Sequence, residues 1–179
     1  MKIAIMGYSG SGKSTLARAF AKKYGCDVLH FDRIQFKPGW VERDLEEKRQ
    51  MTLEFMDSHD EWVIDGNYTR LFLERRLEEA DLIVLMLFGR LNCLWRVTGR
   101  YRKYRGKTRP DMGEGCNEKL DADFVKWILW KGRGKKQRNN FASIMERYAG
   151  KTVVVRNQSQ LEELYMKQGL TLPAGDSAF

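Results

Sequence analysis

The segment Gly7–Ser14, with the sequence GYSGSGKS, constrains the fold more than any other part of the chain. It fits the pattern GxxxxGK[ST], follows the apolar run 2–6 and opens a helical pattern over 13–24. Glycine adopts positive φ without strain and lets the backbone approach a ligand closely. Successive N–H groups of such a loop point inward and bind anions, and the following helix adds its positive end. The sequence therefore predicts a phosphate-binding loop after a first strand.

The expected ligand of this loop is ATP with Mg²⁺. The Lys13 ammonium can reach the β- and γ-phosphates, which makes it a catalytic candidate, and the Ser14 hydroxyl can coordinate the metal. The residues predicted to bind ATP here are Gly7, Ser9, Gly10, Ser11, Gly12, Lys13, Ser14 and Thr15. The alternative is an ordinary glycine-rich turn followed by a surface lysine.

Strand patterns alternate with helix patterns along the rest of the chain. Further strands are predicted at 28–32, 62–65, 82–87 and 152–155, and further helices at 43–58, 70–80, 90–105, 121–147 and 161–167. This alternation predicts the three-layer α/β P-loop NTPase fold, a parallel five-stranded sheet with helices on both faces. We expect one domain over 1–179, with a substrate-binding insert at about 33–60, a basic helical lid at about 90–140 and a frayed end at 172–179.

The net charge of +8 is concentrated in one segment. Residues 90–140 contain 15 Lys and Arg but only 5 Asp and Glu, so the remainder of the chain is slightly acidic. Such a segment attracts nucleic acid, a membrane surface or phosphate groups, although a solvated helix surface has the same composition. Arginine forms bidentate contacts with phosphate, and a closing lid excludes water from phosphoryl transfer. The lid arginines predicted to be catalytic are Arg90, Arg133 and Arg138.

Acidic residues are predicted at the ends of two strands, where ligands bind in open α/β sheets. Asp32 ends the second predicted strand, where it can bind a substrate hydroxyl, hold metal-bound water, act as a general base or only cap a turn. Asp65 and Gly66 close the third strand, either as substrate ligands or as a simple turn. His30 is predicted to be a packed core residue. Further substrate-binding candidates are Trp40, Arg43 and Arg70.

Composition also excludes several classes of protein. No apolar run approaches the ~18–20 residues that a membrane span needs. Three widely separated cysteines form neither a disulfide framework nor a paired zinc motif. The first residues lack the pattern of a secretory signal. We therefore expect a cytoplasmic protein with reduced cysteines and no membrane partner, and its oligomeric state is left open.

The motifs resemble the adenylate-kinase-related branch of the P-loop kinases over nearly the whole chain. The matching features are GYSGSGKST, Asp32, WVIDGNY at 62–68, Arg90 and Arg156–Asn157. More closely, WVIDGNY, RPDMGEGCNE at 109–118 and FVKWILW at 124–130 resemble the bacterial DNA topology modulation proteins of the FlaR type.

This resemblance implies roles for single residues. Asp32 would contact the acceptor or the metal shell, and Asp65–Gly66 match the Asp-Gly pair on the third strand of nucleotide kinases. Arg70 stands near the arginine that contacts the acceptor phosphate, and Asn157 and Gln158 lie near the loop that flanks the adenine ring. The chain departs from the nucleotide kinases in two features: their run DGFPR is DGNYTR here, and a lid with four cysteines is absent from the sequence. Both departures argue against a nucleoside monophosphate as acceptor.

Three functions remain open from the sequence. The favoured one is an ATP-dependent kinase that phosphorylates a small molecule, with nucleotides and nucleosides among the candidates. The second is a nucleic-acid-binding regulator whose basic segment contacts the phosphate backbone. The third is a nucleotide-dependent switch with little kinase activity.

Overall fold

The computed structural model describes residues 1–171, so the frayed end predicted at 172–179 lies outside the described residues. The strands in that range are β1 (Lys2–Gly7), β2 (Asp27–His30), β3 (Phe36–Lys37), β4 (Val41–Glu42), β5 (Trp62–Asp65), β6 (Leu82–Met86) and β7 (Thr152–Val155). The α-helices are α1 (Lys13–Tyr24), α2 (Phe31–Gln35), α3 (Leu45–Ser58), α4 (Leu73–Glu79), α5 (Arg90–Tyr104), α6 (Ala122–Leu129), α7 (Lys135–Arg147) and α8 (Gln158–Lys167).

Five of the strands form one parallel sheet in the order β2-β5-β1-β6-β7. The predicted five-stranded parallel sheet is therefore confirmed. Its register brings chemistry-bearing residues to one edge, because Ile5 lies opposite Asp65 and Asp65 lies opposite His30. On the other side of β1, Gly7 lies opposite Met86.

The two faces of the sheet carry separate hydrophobic clusters, because successive residues of a strand point to opposite faces. Ile3 and Ile5 of β1 belong to a cluster with α1, α5 and α8, whereas Ala4 and Met6 belong to a cluster with α2, α3 and α7. These four residues, Ile3, Ala4, Ile5 and Met6, are fully buried. This arrangement gives the three layers that the sequence predicts.

The prediction that Asp32 ends the second strand is wrong. Strand β2 stops at His30, whose register partner Asp65 is the last residue of β5, and Gly66 then leaves the sheet. Without a partner strand the chain turns into α2, where Phe31 is fully buried and Asp32 lies in the first helical turn. The insert also contains strands that its sequence pattern does not predict, because β3 and β4 form an antiparallel hairpin around Pro38–Trp40.

The single helix predicted at 121–147 is broken into α6 and α7. Gly132 and Gly134 flank Arg133 in the intervening 3₁₀ turn, and the Arg133 side chain donates to the Ile128 and Phe88 carbonyls. A side chain on Gly132 would lie 2.8 Å from the Trp127 indole nitrogen. The helix predicted from residue 70 starts only at Leu73. Among the described helices, none has the length and apolarity to cross a membrane.

Candidate active site

The loop between β1 and α1 has the geometry that its glycines predict. Gly7, Gly10 and Gly12 have φ values of 145°, 80° and 97°. A side chain on Gly7 would lie 2.2 Å from the Met86 carbonyl oxygen of the neighbouring strand, so only glycine fits there. The Tyr8 N–H donates to the same oxygen at 3.1 Å and anchors the loop to the sheet.

Asn67 fixes the start of this loop from the neighbouring strand end. Its Oδ1 accepts from the Gly7 N–H at 2.9 Å, and its Nδ2 donates to the Gly7 carbonyl at 2.6 Å. Asn67 was not a predicted site residue. The only sequence signal was its position after Asp65–Gly66, and a single sequence does not show that its side chain reaches β1.

The first turn of α1 offers an anion site. Gly12 occupies the N-cap position without a side chain to satisfy the exposed N–H groups. The Lys13 ammonium donates to the Tyr8 carbonyl at 3.1 Å and so spans the loop. Ser14 and Thr15 line the adjoining cleft, and the buried Ser11 hydroxyl has no hydrogen-bond partner among the described residues.

A cleft of about 2050 Å³ opens above this loop. Single-ligand pockets are commonly about 300–1,000 Å³, so this cleft has room for two substrates. Its walls are the loop and α1, the insert, residues 65–71, the lid, and the start of α8. We call the part next to α8 the donor side and the part next to the insert the acceptor side.

Arg96 is the central side chain of the donor side. Its guanidinium lies 4.5 Å from the Phe88 ring centre and donates to the Ser11 carbonyl at 3.4 Å and to Gln158 Oε1 at 2.5 Å. Of the two residues expected near adenine, Gln158 lines the cleft, whereas Asn157 caps α8 by accepting from the Gln160 N–H. The structure therefore brings Gln158, and not Asn157, to the cleft.

A buried ionic network joins the lid to the phosphate-binding loop. Glu118 pairs with Arg100 at 2.7 Å and with Arg109 at 2.5 Å, and Arg109 pairs with Asp111 at 2.9 Å. Asp111 in turn pairs with Arg18 of α1 at 3.2 Å. Burial alone would raise the pKa of Asp111, but the charges of Arg109 and Arg18 outweigh it and hold that pKa below its usual range. The carboxylate thus stays ionised beside α1.

The lid loop also closes over the insert. A side chain on Gly113 would lie 2.8 Å from the Phe36 carbonyl oxygen, and the Cys116 thiol donates to the Lys37 carbonyl at 3.5 Å. The Lys119 ammonium lies 4.8 Å from the Trp40 ring centre. On the donor side, the Trp127 indole N–H donates to the Ser9 hydroxyl at 3.2 Å. The structure therefore shows the cleft in a covered state.

Two carboxylates form the base of the acceptor side. Asp65 is buried and contacts His30 Nδ1 at 2.9 Å, so His30 is a core residue as predicted but has a polar partner. Asp32 accepts from the Tyr68 hydroxyl at 3.0 Å and is open to the cleft. Burial, assisted by the Asp32 charge, raises the pKa of Tyr68, which keeps its hydroxyl protonated as a donor.

The turn after β5 is held by Arg76, which sequence reasoning missed. The buried guanidinium donates to the carbonyls of Gly66, Tyr68 and Leu71, and burial lowers its pKa to about 9. It therefore remains charged at neutral pH. Gly66 has a φ of 138° and packs so closely on Phe31 that a side chain would lie 2.9 Å from it.

The remaining acceptor candidates all line the cleft but differ in their freedom to bind. Trp40 has a left-handed backbone with φ 67° and packs edge-on against Phe36 at 5.1 Å. Arg43 is engaged within the insert, because it donates to the Ile34 carbonyl at 3.0 Å and pairs with Glu47. Arg70 is exposed at the rim of the cleft.

The predicted catalytic lid arginines do not reach this cleft. Arg133 is buried, donates to Phe88 and Ile128 carbonyls, and lies 3.8 Å from the Tyr8 ring centre. Arg90 and Arg138 are exposed and outside the cleft lining. The basic lid residues that line it are instead Arg96, Arg100, Lys103, Arg109, Lys119, Lys131 and Lys136. The sequence pattern misplaced Arg133 and Arg138 because the break at 130–134 interrupts the single helix that it predicts.

No protein-family model matches this sequence, and no curated protein matches it. Solved structures do. Deoxyadenosine kinase from M. mycoides with bound dATP is similar with 15% identity and a TM-score of 0.54, over 94% of this chain and 100% of that one. Shikimate kinase from Acinetobacter baumannii in complex with shikimate is similar with 15% identity and a TM-score of 0.53, over 94% and 93%. TT1252 from Thermus thermophilus is similar with 16% identity and a TM-score of 0.53, over 94% of each chain.

The chain has the fold of the P-loop kinases. At these identities the likeness establishes the fold alone, and it covers the sheet, the insert and the lid together. The closer resemblance to the DNA topology modulation proteins stays a prediction.

Proposed function

We propose that this protein is a phosphotransferase that moves the γ-phosphoryl group of ATP to a hydroxyl of a small molecule. The observation that carries the proposal is the covered cleft, because the phosphate-binding loop and the carboxylates of Asp32 and Asp65 line the same space. The similar structures named as deoxyadenosine kinase and shikimate kinase support a small-molecule acceptor, with nucleosides and nucleotides among the candidates.

ATP would occupy the donor side. Its phosphates would lie on the N–H groups of residues 7–15 and the Lys13 ammonium, and its base would lie beside the hydrogen-bonded pair of Arg96 and Gln158. The cleft is lined by basic residues, which suit the negative charge of a triphosphate. They include Lys13, Arg18, Arg96, Arg100 and Lys103.

The residues at the loop fit Mg²⁺. The Ser14 hydroxyl lies near the ionised Asp111 carboxylate, and both are the hard oxygen ligands that Mg²⁺ prefers. When bound, the ion would neutralise charge on the β- and γ-phosphates. The protein's own contribution is to hold this hydroxyl at the start of α1 and to keep water out with the lid.

The acceptor would lie against Asp32 and Asp65. A hydroxyl oriented by Asp32 attacks the γ-phosphorus, the bond to the ADP oxygen breaks, and Asp32 takes the hydroxyl proton. Catalysis of this type depends mainly on positioning and on charge stabilisation.

The proposed localisation is the cytoplasm. ATP, Mg²⁺ and reduced thiols are compatible with the cytoplasm, and the three cysteines are free.

Replacement of Lys13 tests the proposal. We expect Lys13→Ala to lower ATP-dependent phosphoryl transfer by at least about 100-fold, because a cation at the transferred group is lost. Transfer is measured as ADP release over a panel of nucleosides, nucleotides, sugars and shikimate-like acids. Lys22→Ala, on the exposed face of the same helix, is the matched control and should keep full activity. Equal turnover by Lys13→Ala and the control would contradict the proposal.

A second candidate is nucleic-acid binding by the lid. Trp95, on the basic helix α5, is exposed by 58%, and Trp127 and Trp130, at the end of α6 near Lys126 and Lys131, are exposed by 48% and 59%. Exposed aromatic rings among basic side chains are typical of single-strand binding surfaces. This candidate requires affinity for DNA or RNA without ATP that falls steeply with salt. A gel shift that shows no complex at physiological salt would eliminate it.

A further inference from the structure

The acceptor side of the cleft contains buried N–H donors that have no acceptor. These donors are the Trp40 indole nitrogen, Gln137 Nε2 and Asn140 Nδ2, and in residues 1–171 no acceptor lies within hydrogen-bond distance of any of them. All three residues line the cleft. A buried donor without a partner costs about 1–3 kcal/mol, so a ligand that supplies acceptor atoms recovers this free energy.

The three donors come from two different elements of the cleft lining. Trp40 lies at the tip of the insert hairpin, in a left-handed backbone that non-glycine residues rarely adopt. Gln137 and Asn140 lie one turn apart on α7, three residues from each other, so their amides share one face of the helix. Strained backbone held in place at a cleft is typical of binding sites.

Three cations of the same region, Arg43, Lys48 and Arg76, are already engaged by partners within the protein. Arg43 is held by Glu47 and the Ile34 carbonyl. The buried Lys48 ammonium donates to Gln35 at 3.0 Å and to Glu42 at 3.2 Å. The Arg76 guanidinium donates its hydrogen bonds to three main-chain carbonyls. The open side chains at the base of this half are carboxylates, and Arg70 and Lys136 are exposed at its rim.

We infer that the acceptor is an uncharged nucleoside rather than a nucleoside monophosphate. Side-chain amides offer the donor and acceptor pair that matches a base edge, and the Trp40 indole N–H offers a further donor. Asp32 and Asp65 accept from ribose hydroxyls, whereas they would repel a phosphate. The reaction consumes the nucleoside and ATP and yields a nucleoside monophosphate and ADP. This inference rests on the proposed function, because it names the substrate of the same cleft.

The test compares each nucleoside with its own 5′-monophosphate in an ADP-release assay with Mg²⁺ and ATP. Binding of Mg²⁺-ATP is measured separately by calorimetry. Turnover of a nucleoside and not of its monophosphate supports the inference. ATP binding together with turnover of the monophosphate alone, of sugars or acids alone, or of none of these compounds overturns it while the donor site stands. A flat ATP titration overturns the proposed function itself.

Charge variants on α7 give an independent readout. Asn140→Asp and Gln137→Glu keep the shape but replace a donor by a carboxylate. We expect the KM for the nucleoside to rise by about 10-fold or more while the Kd for ATP stays unchanged. Asn139→Asp is the matched control, because Asn139 is the exposed neighbour on the same helix. An unchanged KM in both α7 variants would count against the assignment.

Discussion

Single residues in this protein owe their roles to a few close contacts. A Cβ added at Gly7, Gly66 or Gly113 would lie within 3 Å of a neighbouring atom, so only glycine fits at these two strand ends and at this point of the lid loop. Arg133 and Arg76 have turned their guanidiniums onto main-chain carbonyls. At this scale, positive charge stabilises turns as well as binding ligands.

Gly7→Ala should destabilise the fold far more than a comparable change elsewhere. The added carbon would lie 2.2 Å from the Met86 oxygen at a φ of 145°, and we expect a loss above about 4 kcal/mol. Gly25→Ala is the control, because Gly25 also has a positive φ but nothing lies within 4 Å of the new atom. It should lose about 1–2 kcal/mol from the left-handed backbone alone. Urea unfolding measures both, and equal losses would contradict the clash.

Arg133→Gln should lower stability by about 2–3 kcal/mol, because the Ile128 and Phe88 carbonyls lose their donors in a buried site. Arg138→Gln, at an exposed position of α7, should change stability by less than about 0.5 kcal/mol. Thermal unfolding compares the two. A stable Arg133→Gln protein with lost transfer activity would show that this arginine acts in catalysis and not in holding the lid turn.

At the scale of elements, the sequence predicted the sheet and its order of strands and helices, but not the elements that shape the cleft. Strand 82–86 is almost entirely apolar and α1 is amphipathic, so their patterns are unambiguous. The end of β2 was misplaced because Phe31 continues its apolar pattern although the partner strand has already ended. The turn at 130–134 was missed because it depends on Arg133 reaching residues 45 positions away. Long-range contacts of this kind leave no local pattern.

The ionic network should control how firmly the lid loop stays closed. Glu118→Gln removes the charge that holds Arg100 and Arg109, and removal of one partner from a buried pair destabilises its surroundings. We expect faster amide hydrogen exchange over 105–119 with little change in the sheet. Glu114→Gln, exposed in the same loop, should exchange like the unmodified protein. Equal exchange in the two variants would exclude the network as the latch.

At the scale of the whole molecule, the insert and the lid meet above the central sheet. Ligand binding should therefore stabilise the folded state as a unit. At 100 times its Kd, Mg²⁺-ATP adds about 2.7 kcal/mol, which raises the Tm of a chain of this size by about 5–10 °C. Differential scanning fluorimetry measures the shift, and Lys13→Ala should show a much smaller one. Absence of any shift in the unmodified protein would contradict donor binding.

The lid loop at 105–119 contacts both α1 and the insert, and this double contact has a kinetic consequence. Asp111 holds Arg18 beside the phosphate-binding loop, and Gly113 and Cys116 rest on the hairpin of the insert. A single movement of 105–119 must therefore expose both halves of the cleft at the same moment. Initial-rate patterns should show that either substrate can arrive first, and that release of both products waits for the same step.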